Sequence, residues 1–297
     1  MSDRLSIVIA TTHPWPEIRG CLDSLRDQAA AHGAEILVAD GDGAGLPEDA
    51  ARHYPNIKWL VRRGASVFSL RALGISEAIG DIVAITEDHC RVAPDWCTRI
   101  LEAHRDHPAA AAIGGAVQNA ATSSLIDWAN FALVFSPFMP PIRSGESELI
   151  ALQANISYKR RVIPEAMGRL GMMEMLFNRE LRERGERLVA DGRILVHHDQ
   201  SHGILRTCAS HFHNGRSIAG FRLPDLTGFA RLARIGSTVI LPPFLLYLTL
   251  RNVARKGQLE DGVLASAPLL LPLVACHAAG ELVGYIAGPG DSPKRLD

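Results

Sequence analysis

The segment Ile82-Val83-Ala84-Ile85-Thr86-Glu87-Asp88-His89-Cys90 sets two carboxylates and an imidazole directly after an apolar run rich in β-branched residues. Such a run reads as a buried strand. Acidic groups at the carboxyl end of a strand sit where open α/β sheets bind ligands. Glu87, Asp88 and His89 can together hold a divalent cation, and a held cation can in turn hold a diphosphate. A second candidate is Glu174, set in Met172-Met173-Glu174-Met175-Leu176-Phe177. Apolar neighbours desolvate a carboxylate and make it more basic, which suits a general base. A helix-initial acid favoured by the helix dipole is the plainer account of the same residue.

Other polar residues have chemistry to offer. Asp40 ends the run Glu35–Ala39 and is followed by glycines at 41, 43 and 45. A carboxylate there can accept from a nucleobase imide N–H, and bare backbone lets a ring approach. Asp42 fits the same role or an ordinary turn, where Asp and Gly dominate. Arg71 carries a guanidinium suited to phosphate; a solvated helix cation is the alternative. Histidines 197, 198, 202, 211 and 213 cluster downstream, and His197 ends a strand at Arg193–Val196. Cys90 and Cys97 flank this chemistry without a second ligand pair at zinc-site spacing, so structural zinc is disfavoured.

Alternating short strands and helices must position these groups. Leu5–Ala10, Glu35–Ala39, Ile57–Val61, Ile82–Glu87 and Ala112–Val117 read as strands. Helices are expected after the Pro14/Pro16 pair, over Ser66–Ile79 with Val67, Leu70 and Leu73/Gly74 on one face, and over Asp95–His104. That alternation argues for a largely parallel sheet with crossover helices. No G-x-G-x-x-G follows the first strand, and Ala10-Thr11-Thr12-His13 is no phosphate loop, so dinucleotide-binding and nucleotidyltransfer readings lack support. The chain has 297 residues, a formal net charge of −1 and a pI near 6.9, so no global basic field points to nucleic acid. Five scattered cysteines favour a reducing compartment. No signal-peptide pattern opens the sequence, which predicts a cytoplasmic start.

Composition changes near residue 204. From there to Lys256 eight cations accompany the single acid Asp225. Two apolar stretches, Ile235–Leu250 and Val263–Ala287, are interrupted by prolines. The first is shorter than the ~20 residues a span needs. Cations between the two stretches run against the positive-inside tendency for a hairpin. Interfacial or re-entrant helices on an anionic membrane surface fit better than clean spans, with a buried helical subdomain as the alternative.

Six fragments in order resemble the family 2 glycosyltransferases of the GT-A fold, over roughly residues 5 to 220. LSIVIATTHPWPEIRGCLDSL resembles the opening strand and helix, and EILVADGDGAG the strand with the nucleotide-base acid. GASVFSLRALGISEAIGDIVAITEDHC resembles the arginine helix leading into a DXD-type metal motif. ALQANISYKRRVI, GMMEMLFNRELRERG and ILVHHDQSHG resemble the acceptor strand, the catalytic-carboxylate segment and the histidine-bearing strand. The motif departs from the commoner aspartates, with Glu87 first and His89 last, and Met173 stands where the family often has a second carboxylate.

The resemblance implies an α/β GT-A nucleotide-diphosphate-sugar-binding fold, a mostly parallel mixed sheet with flanking helices, followed by C-terminal hydrophobic helices. It implies a catalytic domain at 1–220 and a basic, hydrophobic membrane-associated region at 221–297. Glu174 would be the base, Thr11, Asp40, Asp42, Arg71, Glu87 and Asp88 would hold the donor, and Glu87, His89 and His197 would hold Mn²⁺ or Mg²⁺. The implied partners are a nucleotide-diphosphate sugar, a lipid-linked or envelope-glycan acceptor and an anionic membrane surface, at the cytoplasmic face of the cell membrane. Inversion is implied by the resemblance alone. Trp128 and Phe131 are the aromatic candidates for acceptor contact. The rival is a non-catalytic membrane-associated protein that keeps a nucleotide-sugar pocket.

Overall fold

A computed structural model describes residues 3–165, 171–258 and 261–296. In chain order its elements are β1 (Leu5–Thr11), α1 (Arg19–Ala31), β2 (Glu35–Asp40), α2 (Glu48–His53), β3 (Ile57–Val61), α3 (Val67–Glu77), β4 (Ile82–Glu87), β5 (Cys90–Val92), α4 (Trp96–Asp106) and β6 (Ala110–Asn119). Then follow α5 (Leu125–Phe135), β7 (Gly145–Glu146), β8 (Ile156–Lys159), α6 (Glu174–Glu183), β9 (Arg187–His198), α7 (Ile204–Arg222), α8 (Gly228–Ser237), α9 (Leu241–Arg255) and α10 (Asp261–Ala287). By packing, the chain falls into two compact units. One is Met1–Ala120 with Phe138–Asp199; the other is Ala121–Pro137 with Gln200–Asp297.

The first unit is built on a mixed sheet ordered β3-β2-β1-β4-β8-β6-β9-β5, with β7 on β9. β1 lies between β2 and β4, parallel to both, and every one of its residues is buried. Burial on both faces explains why Ile7–Ala10 is an unbroken apolar run where a half-exposed strand would alternate. Thr11 pairs with Asp40, and Ala10 pairs with Glu87. The carboxyl ends of three adjacent strands therefore deliver Thr11, Asp40 and Glu87 to one edge.

Helix α3 is capped by the Ser66 hydroxyl, which accepts the Ser69 N–H. Gly74 lets the helix lie directly on β1, since a Cβ there would come 2.5 Å from Val8 Cγ1. Arg71 lies three residues earlier on the same buried face. On the other side β8 runs antiparallel between β4 and β6, and β9 runs parallel to β6. β5 pairs back onto β9 with Cys90 opposite His198, which brings the end of β9 to the turn after β4. Asn155 locks this region. Its amide donates to the carbonyls of Ala116 and Ile194, and its oxygen accepts from Trp96 Nε1. These bonds sit at the β6–β9 irregularity between Gly115 and Ala116.

The second unit is helical. α7 and α10 approach closely at glycines: a Cβ on Gly280 would come 2.0 Å from Phe212 O, and one on Gly215 2.2 Å from His277 O. Ile126 and Ala129 of α5 bury against Leu270 and Leu273 of α10, while Gly262 makes room for the Trp128 indole. Because α7 packs along α10, residues 204–222 belong with the helices that follow. Among the described residues, Gly262–Ala287 is the one helix long and apolar enough to cross a membrane. α8 and α9 form an apolar pair bent by 64°.

Candidate active site

The turn after β4 is organised by Asp88. One of its carboxylate oxygens accepts from Thr11 Oγ1 at 2.6 Å and meets His13 Nδ1 at 2.9 Å. The other meets His89 Nδ1 at 2.8 Å. Burial opposes ionisation of Asp88, but the His13 and His89 bonds outweigh it and hold the carboxyl far below its usual range. With Nδ1 engaged, the His89 ring presents Nε2 to the site. A carboxylate that fixes a ring in this way is a typical partner of a ligating histidine.

Three groups converge beside it. His89 Nε2 lies 2.9 Å from His198 Nε2, and Glu87 Oε2 lies 3.6 Å from each. Glu87 Oε2 is buried with no hydrogen-bond partner among the described residues. Burial lowers the basicity of both rings, but Asp88 and Glu87 raise His89 to about 10. Burial and the His89 charge push His198 down to about 3. One proton thus lies between a cationic and a neutral imidazole. Burial also disfavours the Glu87 carboxylate, yet His89, His198 and Arg71 hold it below its ordinary range.

Two imidazole nitrogens and an orphaned buried carboxylate oxygen are a donor set that suits a divalent cation such as Mn²⁺. The Cys90 sulfur is also near, within 4.8 Å of the Glu87 and His89 donors. Burial and the Glu87 charge raise that thiol well above its ordinary value, so it stays protonated and makes a poor ligand.

Arg71 links this group to Glu174. Its guanidinium lies 3.6 Å from Glu87 Oε1 and 3.3 Å from Glu174 Oε2. Glu174 opens α6, is 2 % exposed, and leaves Oε1 without a hydrogen-bond partner among the described residues. Burial raises its carboxyl above the ordinary value, only partly countered by Arg71. A buried carboxylate of raised basicity, steadied through one oxygen and open at the other, can accept a proton. Glu180 and Glu183 instead pair with Arg184 and Arg179 along the exposed side of α6.

The remaining candidates are placed as follows. Asp40 accepts from the N–H groups of Gly43 and Gly45 and from Trp59 Nε1. Its carboxylate shapes the loop, and Gly43 and Gly45 adopt φ of 79° and 75° that other residues resist. The Asp42 carbonyl accepts from Arg63. Strand alternation turns His197 to the face opposite His198, so His197 is outside the converging group. His202, His211 and His213 are parts of the second unit, where His211 bonds Asn130 and His213 bonds Ser292. Trp128 and Phe131 are also there, Phe131 buried and Trp128 against Gly262.

Two contributors escape a reading of the sequence. His13 braces Asp88 from the loop after β1. Asn119 ends β6 in register with His198, and both polar atoms of its amide are buried without partners among the described residues. A polar pair closing the apolar run Ala110–Val117 is the only local signal for Asn119.

Comparison with known proteins gives a consistent picture. The model of the family described as glycosyl transferase family 2 matches residues 6–166. A putative glycosyltransferase, EpsH of Bacillus subtilis (strain 168), is 28 % identical over 105 residues, covering 34 % of this chain and 30 % of EpsH. This chain thus matches about a third of that relative's length. Among solved structures, the mannosyltransferase PcManGT from Pyrobaculum calidifontis, in complex with GDP-Man and Mn²⁺, superposes with a TM-score of 0.55 at 15 % identity. The superposition covers 98 % of this chain and 88 % of that one. S. aureus TarS 1-349 gives a TM-score of 0.51 at 14 % identity, covering 96 % and 92 %. The fold is therefore that of the GT-A glycosyltransferases, a mixed α/β sheet with flanking helices.

Proposed function

Because this chain belongs to glycosyl transferase family 2, we propose that it moves a sugar from a nucleotide diphosphate donor to an acceptor hydroxyl, with Glu174 as general base. The observation that carries the reading is the chain of groups Glu174–Arg71–Glu87, the first two buried and Glu87 half-buried, with Glu174 made more basic and open at one oxygen. Glu174 accepts the acceptor proton as the new glycosidic bond forms, and Arg71 keeps that carboxylate oriented. Glu87, His89 and His198 would hold a divalent cation, which when bound supplies positive charge to the departing diphosphate. Thr11 and Asp88 keep His89 in place for that role. Asp40 and the glycine loop it shapes receive the base, with Asp42 at the rim. The Asn119 amide, whose polar atoms are buried and without partners among the described residues, is placed to meet sugar hydroxyls. Attack by the acceptor on the face opposite the leaving diphosphate inverts the anomeric centre.

The class of acceptor is inferred from the surface of the second unit. Phe229 and Val239 are 84 % and 80 % exposed, and they lie within the basic stretch 204–256. Apolar side chains beside cations favour an anionic membrane face, and hence a lipid-linked or envelope-glycan acceptor. The experiment is a donor screen of the full chain with Mn²⁺ and Mg²⁺, following free nucleotide diphosphate and the anomer formed. GDP-mannose is the first donor to try, since PcManGT was solved with it. Donor binding without turnover on any acceptor would overturn the transferase reading in favour of a binding protein.

A further inference from the structure

A cavity of about 330 Å³ in the second unit is lined by His213, Arg216, Gly290, Asp291, Ser292 and Arg295. Its volume falls within the range of small-molecule sites, about 300–1,000 Å³. Two guanidinium groups face it. Neither Arg216 nor Arg295 has an ion-pair partner among the described residues. Asp291 is the one acid in the lining and is exposed at the rim. Arg216 is held in place: its Nε donates to Gly288 O at 3.0 Å. Its Nη atoms lie against Gly290, where a Cβ would come 2.4 Å from Nη2. His213 Nδ1 meets Ser292 Oγ at 3.0 Å. Burial, with Arg295 and Arg216 close by, disfavours a proton on that ring. The cavity therefore presents a fixed guanidinium fork, a second cation, a neutral imidazole and a hydroxyl. Together they match the three oxygens and double charge of a phosphate monoester.

The surroundings choose the bearer. The cavity opens where α10 ends, at Gly288–Gly290. Arg231 of α8 donates to the last α10 carbonyls, those of Tyr285 and Ile286. The α8 neighbours Phe229 and Leu232 are 84 % and 67 % exposed. A phosphate pocket thus lies at the same helix end as exposed apolar side chains. We propose that this cavity binds the phosphate group of a phosphorylated lipid, with the acyl or prenyl portion lying along the exposed face of α8. The site lies wholly within the second unit and does not depend on the transferase reading.

The test uses the full chain with two kinds of probe. Inorganic phosphate is titrated by thermal shift and ³¹P line broadening. Vesicles of phosphatidylcholine with phosphatidic acid are compared, by co-sedimentation, with phosphatidylserine vesicles of matched surface charge. The expected result is saturable phosphate binding and a preference for phosphatidic acid. Arg295→Glu should weaken both by about ten- to a hundredfold, the worth of charged hydrogen bonds. Arg216→Lys, which keeps charge but loses the fork, should weaken both by a smaller factor. Arg255→Glu, a cation outside the lining, is the charge control and should leave the preference in place. Phosphate binding without preference for phosphatidic acid would overturn the lipid as the source and assign a soluble phosphate. Absence of phosphate binding, or equal loss in Arg255→Glu and Arg295→Glu, would overturn the site itself. Retained melting temperature in either pocket variant keeps the comparison free of unfolding.

Discussion

Replacing Glu174 with Gln separates chemistry from structure, because the amide keeps the shape and loses the proton acceptor. Arg71 lies 3.3 Å from Glu174 and 3.6 Å from Glu87. In the variant the guanidinium keeps the Glu87 charge and can still donate to the amide oxygen that replaces the carboxylate. Trading a charged for a neutral acceptor costs ~1–2 kcal/mol. The raised carboxyl of Glu174 shows that burial already opposes its charge, so removing that charge returns part of the cost. The net change is within ~1 kcal/mol, a melting shift of about 2–4 °C for a chain of this size. Loss of a general base, by contrast, costs ~10²–10⁴ in turnover, or about 2.7–5.4 kcal/mol of activation free energy.

The pH profile carries the same signature. A base whose carboxyl is raised loses activity as pH falls through that raised value, because the protonated form cannot accept. Wild-type turnover should therefore decline on the acid side above the ordinary carboxyl range, ~4.3, and the Glu174→Gln variant should lack that limb. The assay is nucleotide diphosphate release at saturating donor, with donor affinity measured separately by titration. Turnover within about threefold of wild type, far short of the 10²-fold minimum, would refute the reasoning. So would loss of donor affinity with turnover kept, which would make Glu174 a donor-positioning residue.

Glu87→Ala and His198→Ala should each abolish metal-dependent donor binding, while His197→Ala leaves it near wild type. Calorimetric titration of Mn²⁺ and donor checks this, and equal effects of the two histidines would dismiss the face assignment. His104 is buried and pushed down to about 3, by burial first and then by Lys159 and His107. The unfolded chain takes up the proton and the folded chain does not, so this contribution is complete above ~6.5 and is lost as pH falls, at ~1.4 kcal/mol per pH unit. Unfolding free energies from urea titration should fall between pH 7 and 5 by ~2 kcal/mol less in His104→Gln than in wild type, and equal falls would contradict the burial argument. Membrane association should resist high salt and yield to detergent, since apolar burial is unscreened whereas cation–headgroup attraction is not. Full-length protein that stays monodisperse without detergent, tested by light scattering and flotation with anionic vesicles, would count against it.

The central strands β1, β2 and β4 are legible because they are buried almost throughout and so read as largely apolar runs. Ile57–Val61 has the limits its sequence implies, and Ile82–Glu87 ends on the acids that it delivers. The helix expected over Ser66–Ile79 is Val67–Glu77, with Ser66 as its cap. β5 and β7 are not legible, because three and two residues leave no periodicity to read. The sequence cannot separate His197 from His198 for a related reason. Ile194, Leu195 and Val196 are all apolar, so the strand gives no alternation to tell which histidine faces inward; the pairing of Cys90 with His198 decides it. The bracing of Asp88 by His13 joins residues 75 positions apart, and no local pattern encodes it.

Helix α5 is encoded between β6 and β7 but folds with helices made much later. Ile126 and Ala129 wait for Leu270 and Leu273, and Trp128 waits for Gly262. At ~5–20 residues per second of synthesis, the apolar side of α5 leaves the ribosome roughly 7–30 s before its partners exist. In that interval the helix is a sticky segment on a nascent chain, and a stop codon near residue 200 would make the condition permanent. A shortened catalytic unit therefore needs a second cut. Val117 N–H already donates to Phe138 O at 2.9 Å, so the ends of the excision lie side by side. A few flexible residues in place of 121–137 would close the gap and leave no orphaned helix behind.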